Sequence, residues 1–175
     1  TDAKLVSDKD GGNSVLSIEH GAELLGSMET YMDVLCTIHD GLPEHLRQIE
    51  TCWTASSSFS LKCAALKEHA HKLAGFISFL QMDRFSAATA ALVKEAAAIA
   101  TNAERGRELD GLSLSEDRAL MAQAYSNFCQ EADHAVEAVS KVTGKWQQRR
   151  DHEPGKPATA ATTPQESSAS AGSSA

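Results

Sequence analysis

Large apolar side chains recur every three or four positions along most of the chain, the spacing of one face of an α-helix. The longest stripe keeps its phase across Gly41 and Pro43, so we predict one kinked helix there rather than two. Its members are Met28, Tyr31, Leu35, Ile38, Leu42, Leu46, Ile49 and Trp53. A second stripe predicts a long helix towards the C-terminus; it comprises Met121, Tyr125, Phe128, Ala132, Ala135, Val139 and Val142.

Boundary residues divide the first half of the chain into elements. Val15 to Leu25 has the pattern of a short helix, and Gly26 is placed to end it. Ser27 then predicts the cap of the next helix. A serine-rich stretch over 54–60 predicts the loop that follows this helix.

The second half contains similar signals. A helix is predicted from about Leu61 to about Leu80, and Asp83 is expected to cap the next, alanine-rich helix. Glycines within 102–112 predict a loop, and the capping box Ser113-Leu114-Ser115-Glu116 predicts the start of the last helix. Gly144 is a plausible end for that helix.

One short helix and four longer ones, joined mostly by short connections, are typical of an antiparallel up-and-down four-helix bundle. We therefore predict an all-α fold of this type over residues 15–147, with the short N-terminal helix as a cover. Residues 1–14 are polar and expected to be flexible. Residues 148–175 are rich in Ser, Ala, Thr and Pro without a large apolar side chain, so we predict a disordered tail or linker.

Composition and charge narrow the class of function. A chain of 175 residues that is 42% hydrophobic is long enough for one domain with a real core. Its net charge of −8, with acidic and basic residues mixed, argues against nucleic acid and against anionic membranes as partners. The four cysteines show no C-x-x-C spacing, which favours reduced thiols in a cytoplasmic protein.

The helix predicted over 61–80 carries the candidate chemistry. On a helical wheel His69 falls on the apolar side with Leu73, which is the environment of a core or core-edge residue. His71 lies about 160° from Leu73, on the opposite side, and Gly75 follows it one turn later. The sequence therefore predicts an exposed imidazole at His71 with room for a bulky group to approach.

The same residues resemble the histidine-phosphotransfer (HPt) family. His71-Lys72-Leu73-Ala74-Gly75 is similar to the family's His-x-Leu-Lys-Gly pattern, with Ala74 in place of the lysine. Gln81 stands where the family usually has a second glycine. The segments Val15 to Gly26 and Leu42 to Leu46 are also similar to the family's first helices, and the resemblance covers about 15–142.

The resemblance implies a phosphorelay step with His71 as phosphoacceptor. The group would come from, and return to, the aspartate of a receiver domain in a response regulator or hybrid histidine kinase. The chain would then be a phosphocarrier rather than a stand-alone enzyme, with no cofactor of its own, since the receiver would bring Mg²⁺. We expect Gly75 to leave room for the receiver, Ser78 to donate a hydrogen bond, and Lys67 to replace the missing lysine charge.

Two alternatives stay open. Because Ala74, Phe76 and Gln81 depart from the family pattern, the bundle is alternatively an interaction or scaffold module that transfers nothing. The less favoured alternative is a metal-binding bundle, because its ligands would all have to point inward and helical phase directs several of them outward. Its candidate ligands are Glu68 and His71, Glu131 and His134, Glu50 and Glu95.

Overall fold

The computed structural model describes residues 16–104 and 111–152, and within them the only regular structure is helical. This confirms the all-α class. The elements are α1 (Ile18–Leu25), α2 (Met28–Thr54), α3 (Phe59–Ile77), a 3₁₀ turn (Ser78–Leu80), α4 (Asp83–Glu104) and α5 (Gly111–His152). No helix within the described residues is long and apolar enough to cross a membrane.

The junction between α1 and α2 is built as the sequence predicts. Gly26 ends α1 in a left-handed conformation with φ 81°, which glycine adopts without steric cost. The side-chain oxygen of Ser27 accepts a hydrogen bond from the Thr30 N–H at 3.1 Å and so caps α2. The start of α1 differs, because the helix begins at Ile18; Val15 lies outside the described residues.

Helix α2 is one continuous element through Gly41 and Pro43, as its unbroken apolar stripe predicts. Pro43 is exposed, so its ring does not enter the core. The buried residues of α2 are Tyr31, Met32, Leu35, Ile38, Leu42 and Ile49. Their packing on both sides of the proline holds the helix together against the hydrogen bond that proline cannot donate.

Several boundaries in the second half were predicted wrongly. Helix α3 begins at Phe59 and gives way to the 3₁₀ turn at Ser78, and Asp83 is the first residue of α4 rather than its cap. Ser113 lies inside α5, which begins at Gly111, and so is not the cap of this helix. The helix therefore begins two residues before Ser113, the first residue of the capping box, which is less than one turn.

The C-terminal boundary was also wrong. Helix α5 continues through Gly144 and past residue 147 to His152. Gly144 lies inside the helix, and it is not among the positive-φ glycines, so it does not form a turn. Trp146, beyond it, is half-buried against the core, and this packing offsets the roughly 1 kcal/mol that glycine costs inside a helix. Residues 153–175, the remainder of the predicted tail, lie outside the described residues.

Side-chain contacts fix how the helices run. Trp53 stacks on Tyr125 with ring centroids 4.4 Å apart, while Asp33 lies 3.6 Å from Arg150, so α2 and α5 are antiparallel. Helices α2 and α3 are antiparallel as well, since Trp53 contacts Lys62 near one end of α3 and other residues of α2 contact its far end. Helix α4 packs between α3 and α5, and α1 packs on α2.

Helices α2 and α5 extend beyond the turn that joins α3 to α4. Arg84, at the start of α4, pairs with Glu131 at 2.7 Å, yet α5 continues to His152, about 30 Å further along its axis. The hydroxyl of Tyr31, near the start of α2, donates to the carbonyl oxygen of Leu80 at 3.3 Å. The first part of α2 therefore overhangs the end of the α3 segment, where α1 covers it.

Candidate functional site

Helix α3 separates its two histidines as helical phase predicts. The buried side of the helix consists of Cys63, Leu66, Ala70, Leu73 and Ile77. His71 is exposed on the opposite side. His69 is half-buried at the boundary with α2, where its Nδ1 lies 3.2 Å from Oε1 of Gln48. His69 thus stabilises the contact between two helices, and His71 faces outward.

The surroundings of His71 are open. Gly75, one turn later, is also exposed, and a Cβ added there would meet no atom within 4 Å. Within the described part of the chain, His71 has no hydrogen bond or ion pair of its own. The imidazole is therefore exposed, and the position one turn after it has open space for at least a Cβ.

The two lysines nearest to His71 differ in their partners. Nζ of Lys72 lies 2.7 Å from Oε1 of Glu68, and this hydrogen bond lowers the pKa of the Glu68 carboxyl. Lys67 is exposed, and no carboxylate among the described residues pairs with it. Lys67 lies one turn before His71, so its ammonium can reach the imidazole side of the helix. Lys67, which the sequence predicts as the supporting cation, is thus the lysine near His71 that no described carboxylate neutralises.

Ser78 is placed differently from expectation. It begins the 3₁₀ turn and is exposed, but its hydroxyl donates to the carbonyl oxygen of Gly75 at 2.8 Å. That carbonyl also accepts a hydrogen bond from the backbone N–H of Ser78, the C-cap residue of α3. In this arrangement Ser78 satisfies the end of the helix rather than offering its proton to a ligand of His71.

Two aromatic residues lie near this surface; Phe79 was not predicted, and Phe76 was predicted only as a departure from the family pattern. Phe79 is 52% exposed, although it is a large apolar side chain just beyond Gly75. Helical phase places it about 80° from His71, so the sequence contained this signal. Phe76 packs against His45 of α2 with ring centroids 4.6 Å apart. That contact depends on the pairing of α2 with α3, which no local pattern specifies.

The metal-binding alternative gains no geometric support. Among the residues that the structure describes, no group of three or more His, Cys, Asp or Glu is placed to hold a metal ion. Glu68 pairs with Lys72, and Glu131 pairs with Arg84 at 2.7 Å. The two E-x-x-H motifs are thus engaged in separate ion pairs on different helices.

Comparisons of the chain with protein-family models, curated proteins and solved structures found no match. The functional argument accordingly depends on the motif around His71 and on the geometry of α3. Both can be tested directly by experiments on this protein.

Proposed function

We propose that the protein is a cytoplasmic phosphorelay module in which His71 accepts and donates a phosphoryl group. We further infer that α2 to α5 form the up-and-down four-helix bundle of the HPt type, with α1 as its cover. The observation that carries the proposal is the outward His71 beside the open position at Gly75, on a helix whose opposite side is fully buried. The partner is the receiver domain of a response regulator or hybrid histidine kinase.

The transfer step requires little machinery on this chain. The lone pair of the unprotonated imidazole nitrogen attacks phosphorus, and the bond from phosphorus to the aspartate oxygen breaks. The carboxylate leaves with the electron pair, and the second ring nitrogen can release its proton to water. Mg²⁺ held by the receiver neutralises phosphoryl charge. Imidazole suits this role because much of it is unprotonated near neutral pH.

This chain supplies position and one cation. In-line attack needs nitrogen and phosphorus within about 3–3.5 Å, so the receiver must approach closely. The open space at Gly75 permits that approach. Lys67 offers an exposed ammonium one turn from His71, where it can stabilise the phosphorylated imidazole modestly. The protein acts as a phosphocarrier, and the catalytic metal chemistry belongs to the partner.

A scaffold that transfers nothing is the second candidate. Ser78 directs its hydroxyl to Gly75 rather than towards a phosphoryl group, and Ala74 provides no cation. Both observations weaken the chemistry without changing the docking surface. A scaffold of this kind would bind a receiver and remain unlabelled.

The deciding experiment incubates the protein with a panel of phosphorylated receivers and scores acid-labile label on the chain. His71→Gln should abolish the label with an unchanged circular dichroism spectrum, because an exposed side chain contributes little to packing. His69→Gln should keep the label and lower the melting temperature. His20→Gln, an exposed histidine on α1, serves as the control. Label that survives in His71→Gln but disappears in His69→Gln would overturn the assignment.

A glycine variant separates docking from chemistry. Gly75→Gln fills the open position, so transfer from a receiver should be blocked. Labelling by phosphoramidate, a small donor that transfers its phosphoryl group and releases ammonia, should continue. Gly144→Gln is the matched control, since that helical glycine also has no neighbour within 4 Å of a Cβ. Normal receiver transfer by Gly75→Gln would contradict the docking geometry.

A further inference from the structure

Helix α3 meets α2 through three side chains spaced seven residues apart, which is two helical turns. Lys62 donates from Nζ to the carbonyl oxygen of Trp53 at 3.1 Å, and His69 contacts Gln48 at 3.2 Å. Phe76 completes the row by packing against His45. The row lies on the side of α3 facing away from His71, so together with the packing of α3 on α4 it determines which way the outer side points.

Of these three contacts, the one made by Phe76 leaves the least space for another side chain. Its ring lies over Gly41 of α2, where an added Cβ would be only 2.7 Å from Cζ of Phe76. The ring of His45, one turn after Gly41, packs on Phe76 with centroids 4.6 Å apart. Any side chain at position 41 would displace the ring or separate the helices. Glycine in the middle of a helix is unfavourable by about 1 kcal/mol. At position 41 of α2 the missing side chain leaves the space that the ring of Phe76 occupies.

The outer side of α3 has no comparable restraint. His71 forms no hydrogen bond or ion pair among the described residues, and the position at Gly75 is open. Where the imidazole lies relative to a docked partner therefore follows from the rotation and depth of α3 against α2 and α4. A displacement of about 1 Å at a reacting atom can cost on the order of 10²-fold in rate.

We propose that Phe76, seated on Gly41 and packed against His45, is a positioning residue that sets the rotation of α3 and thereby aims His71 at the receiver. This inference rests on the proposed function. Phe76 touches neither the phosphoryl group nor the partner; it acts through the helix. Phe76, which departs from the HPt pattern, thus has a specific packing site on α2 in this chain.

Gly41→Ala tests the positioning role. Receiver-to-His71 transfer should fall at least tenfold in its rate constant at saturating receiver, with a smaller change in the receiver concentration that gives half the maximal rate. Labelling by phosphoramidate should stay within about twofold of wild type, because a small donor follows the imidazole wherever it lies. Phe76→Leu alone should slow transfer severalfold, and Gly41→Ala should cost little more in that background, because the ring atoms with which its Cβ clashes are gone. Gly144→Ala is the control and should transfer normally.

A second variant and a spectroscopic readout cover the case in which Gly41→Ala fails to fold. His45→Ala removes only the half-buried ring beside Phe76 and should slow transfer severalfold in a folded protein. In the wild-type protein the His45 ring protons should show a ring-current shift that Phe76→Leu removes. Full transfer rates in folded Gly41→Ala or in His45→Ala would overturn the positioning role alone. Absence of label on the wild-type chain from every receiver would instead overturn the proposed function, and the positioning role with it.

Discussion

Charge is distributed unevenly around His71. Glu68 and Lys72 neutralise each other at 2.7 Å on one side of the helix, whereas Lys67 on the other side has no carboxylate partner among the described residues. A phosphorylated imidazole would therefore experience one uncompensated cation within a turn. Since the whole chain carries a net charge of −8, a local positive charge at this position is a distinctive feature of the surface.

Lys67→Ala should slow transfer to His71 by a few-fold at low ionic strength. An exposed cation of this kind contributes about 0.3–1 kcal/mol, and salt screens it. The measurement is the transfer rate from one receiver at low and at high salt. Lys145→Ala, which removes the same charge from the exposed surface of α5, is the control. Ala74→Lys should restore the rate in the Lys67→Ala background; equal rates at low salt would show that Lys67 is only a solvated surface residue.

Tyr31 is the residue that joins the covering part of the fold to the end of the α3 segment. Its side chain is fully buried, and its hydroxyl donates to the carbonyl of Leu80. Burial raises the pKa of Tyr31 from 10.0 to about 12. The folded state therefore favours the neutral phenol, while an unfolded chain ionises it near its ordinary pKa. This stabilising contribution is complete below about pH 10 and is lost as the pH rises towards 12.

Tyr31→Phe should have opposite consequences at neutral and at alkaline pH. Near pH 7 the lost hydrogen bond should lower the free energy of unfolding by about 0.5–1.5 kcal/mol. Between pH 10 and 12 the variant should lose stability less steeply than wild type. Urea unfolding at a series of pH values, followed by circular dichroism, measures both effects. Tyr125 retains its own alkaline dependence, since burial raises its pKa too, so parallel curves for wild type and variant would contradict the prediction.

At the scale of elements, the turn between α3 and α4 is tightly constrained. Leu80 and Met82 are both fully buried, and Gln81 between them has φ 52°, in the left-handed region. A residue with a Cβ pays roughly 1–2 kcal/mol for that conformation. The glycine that the HPt pattern has near this point would not. Gln81 in place of this glycine therefore lowers the stability of the turn. We do not expect it to affect the chemistry of His71.

Gln81→Gly should raise the melting temperature by a few degrees. Relief of the left-handed strain exceeds the roughly 0.5–1 kcal/mol of added chain entropy that glycine brings. Gln81→Ala is the matched control, because it removes the same side chain without removing the Cβ. Calorimetry of the three proteins makes the comparison. A melting temperature for Gln81→Gly at or below that of Gln81→Ala would show that the turn is not strained.

The helices were predictable from sequence where local signals and tertiary packing agree. Gly26 and Ser27 place one boundary correctly, because a left-handed glycine and a capping serine satisfy the backbone there. Ser113 and Gly144 misled the prediction, since each local signal is worth about 1 kcal/mol and helix α5 gains more from continuing. Trp146, packed against the core beyond Gly144, is the clearest example.

The candidate site was predictable to the same extent. His71, Gly75 and Lys67 follow from the phase of one helix, which the apolar pattern fixes. The partner of Ser78 could not be foreseen, because it depends on where α3 changes to a 3₁₀ turn. The seat of Phe76 on Gly41 depends on which helices pair and at what register. The periodicity of one segment does not show which distant segments it contacts.

For the whole molecule, the paired helices α2 and α5 form the frame to which the shorter α3 and α4 are attached. The far part of α5 packs beside the first part of α2, where Arg150 approaches Asp33 and Trp146 joins the core. That part of α5 was predicted to border on a disordered tail. The folded unit was predicted to end at residue 147, and α5 extends it to His152. Half-buried Trp146 packs against the core and contributes to its stability.

Two truncations should therefore behave differently. Removal of everything after His152 should leave the melting temperature and the transfer to His71 unchanged, because residues 153–175 contain no large apolar side chain. Removal of everything after Gly144 also takes away Trp146 and should lower the melting temperature by several degrees. Trp146→Ala in the full chain should reproduce most of that loss, whereas Arg150→Ala should not, since the Asp33 and Arg150 side chains are both exposed. A drop of several degrees on removal of residues 153–175 alone would mean that the C-terminal segment, rather than the overhanging part of α5, completes the fold.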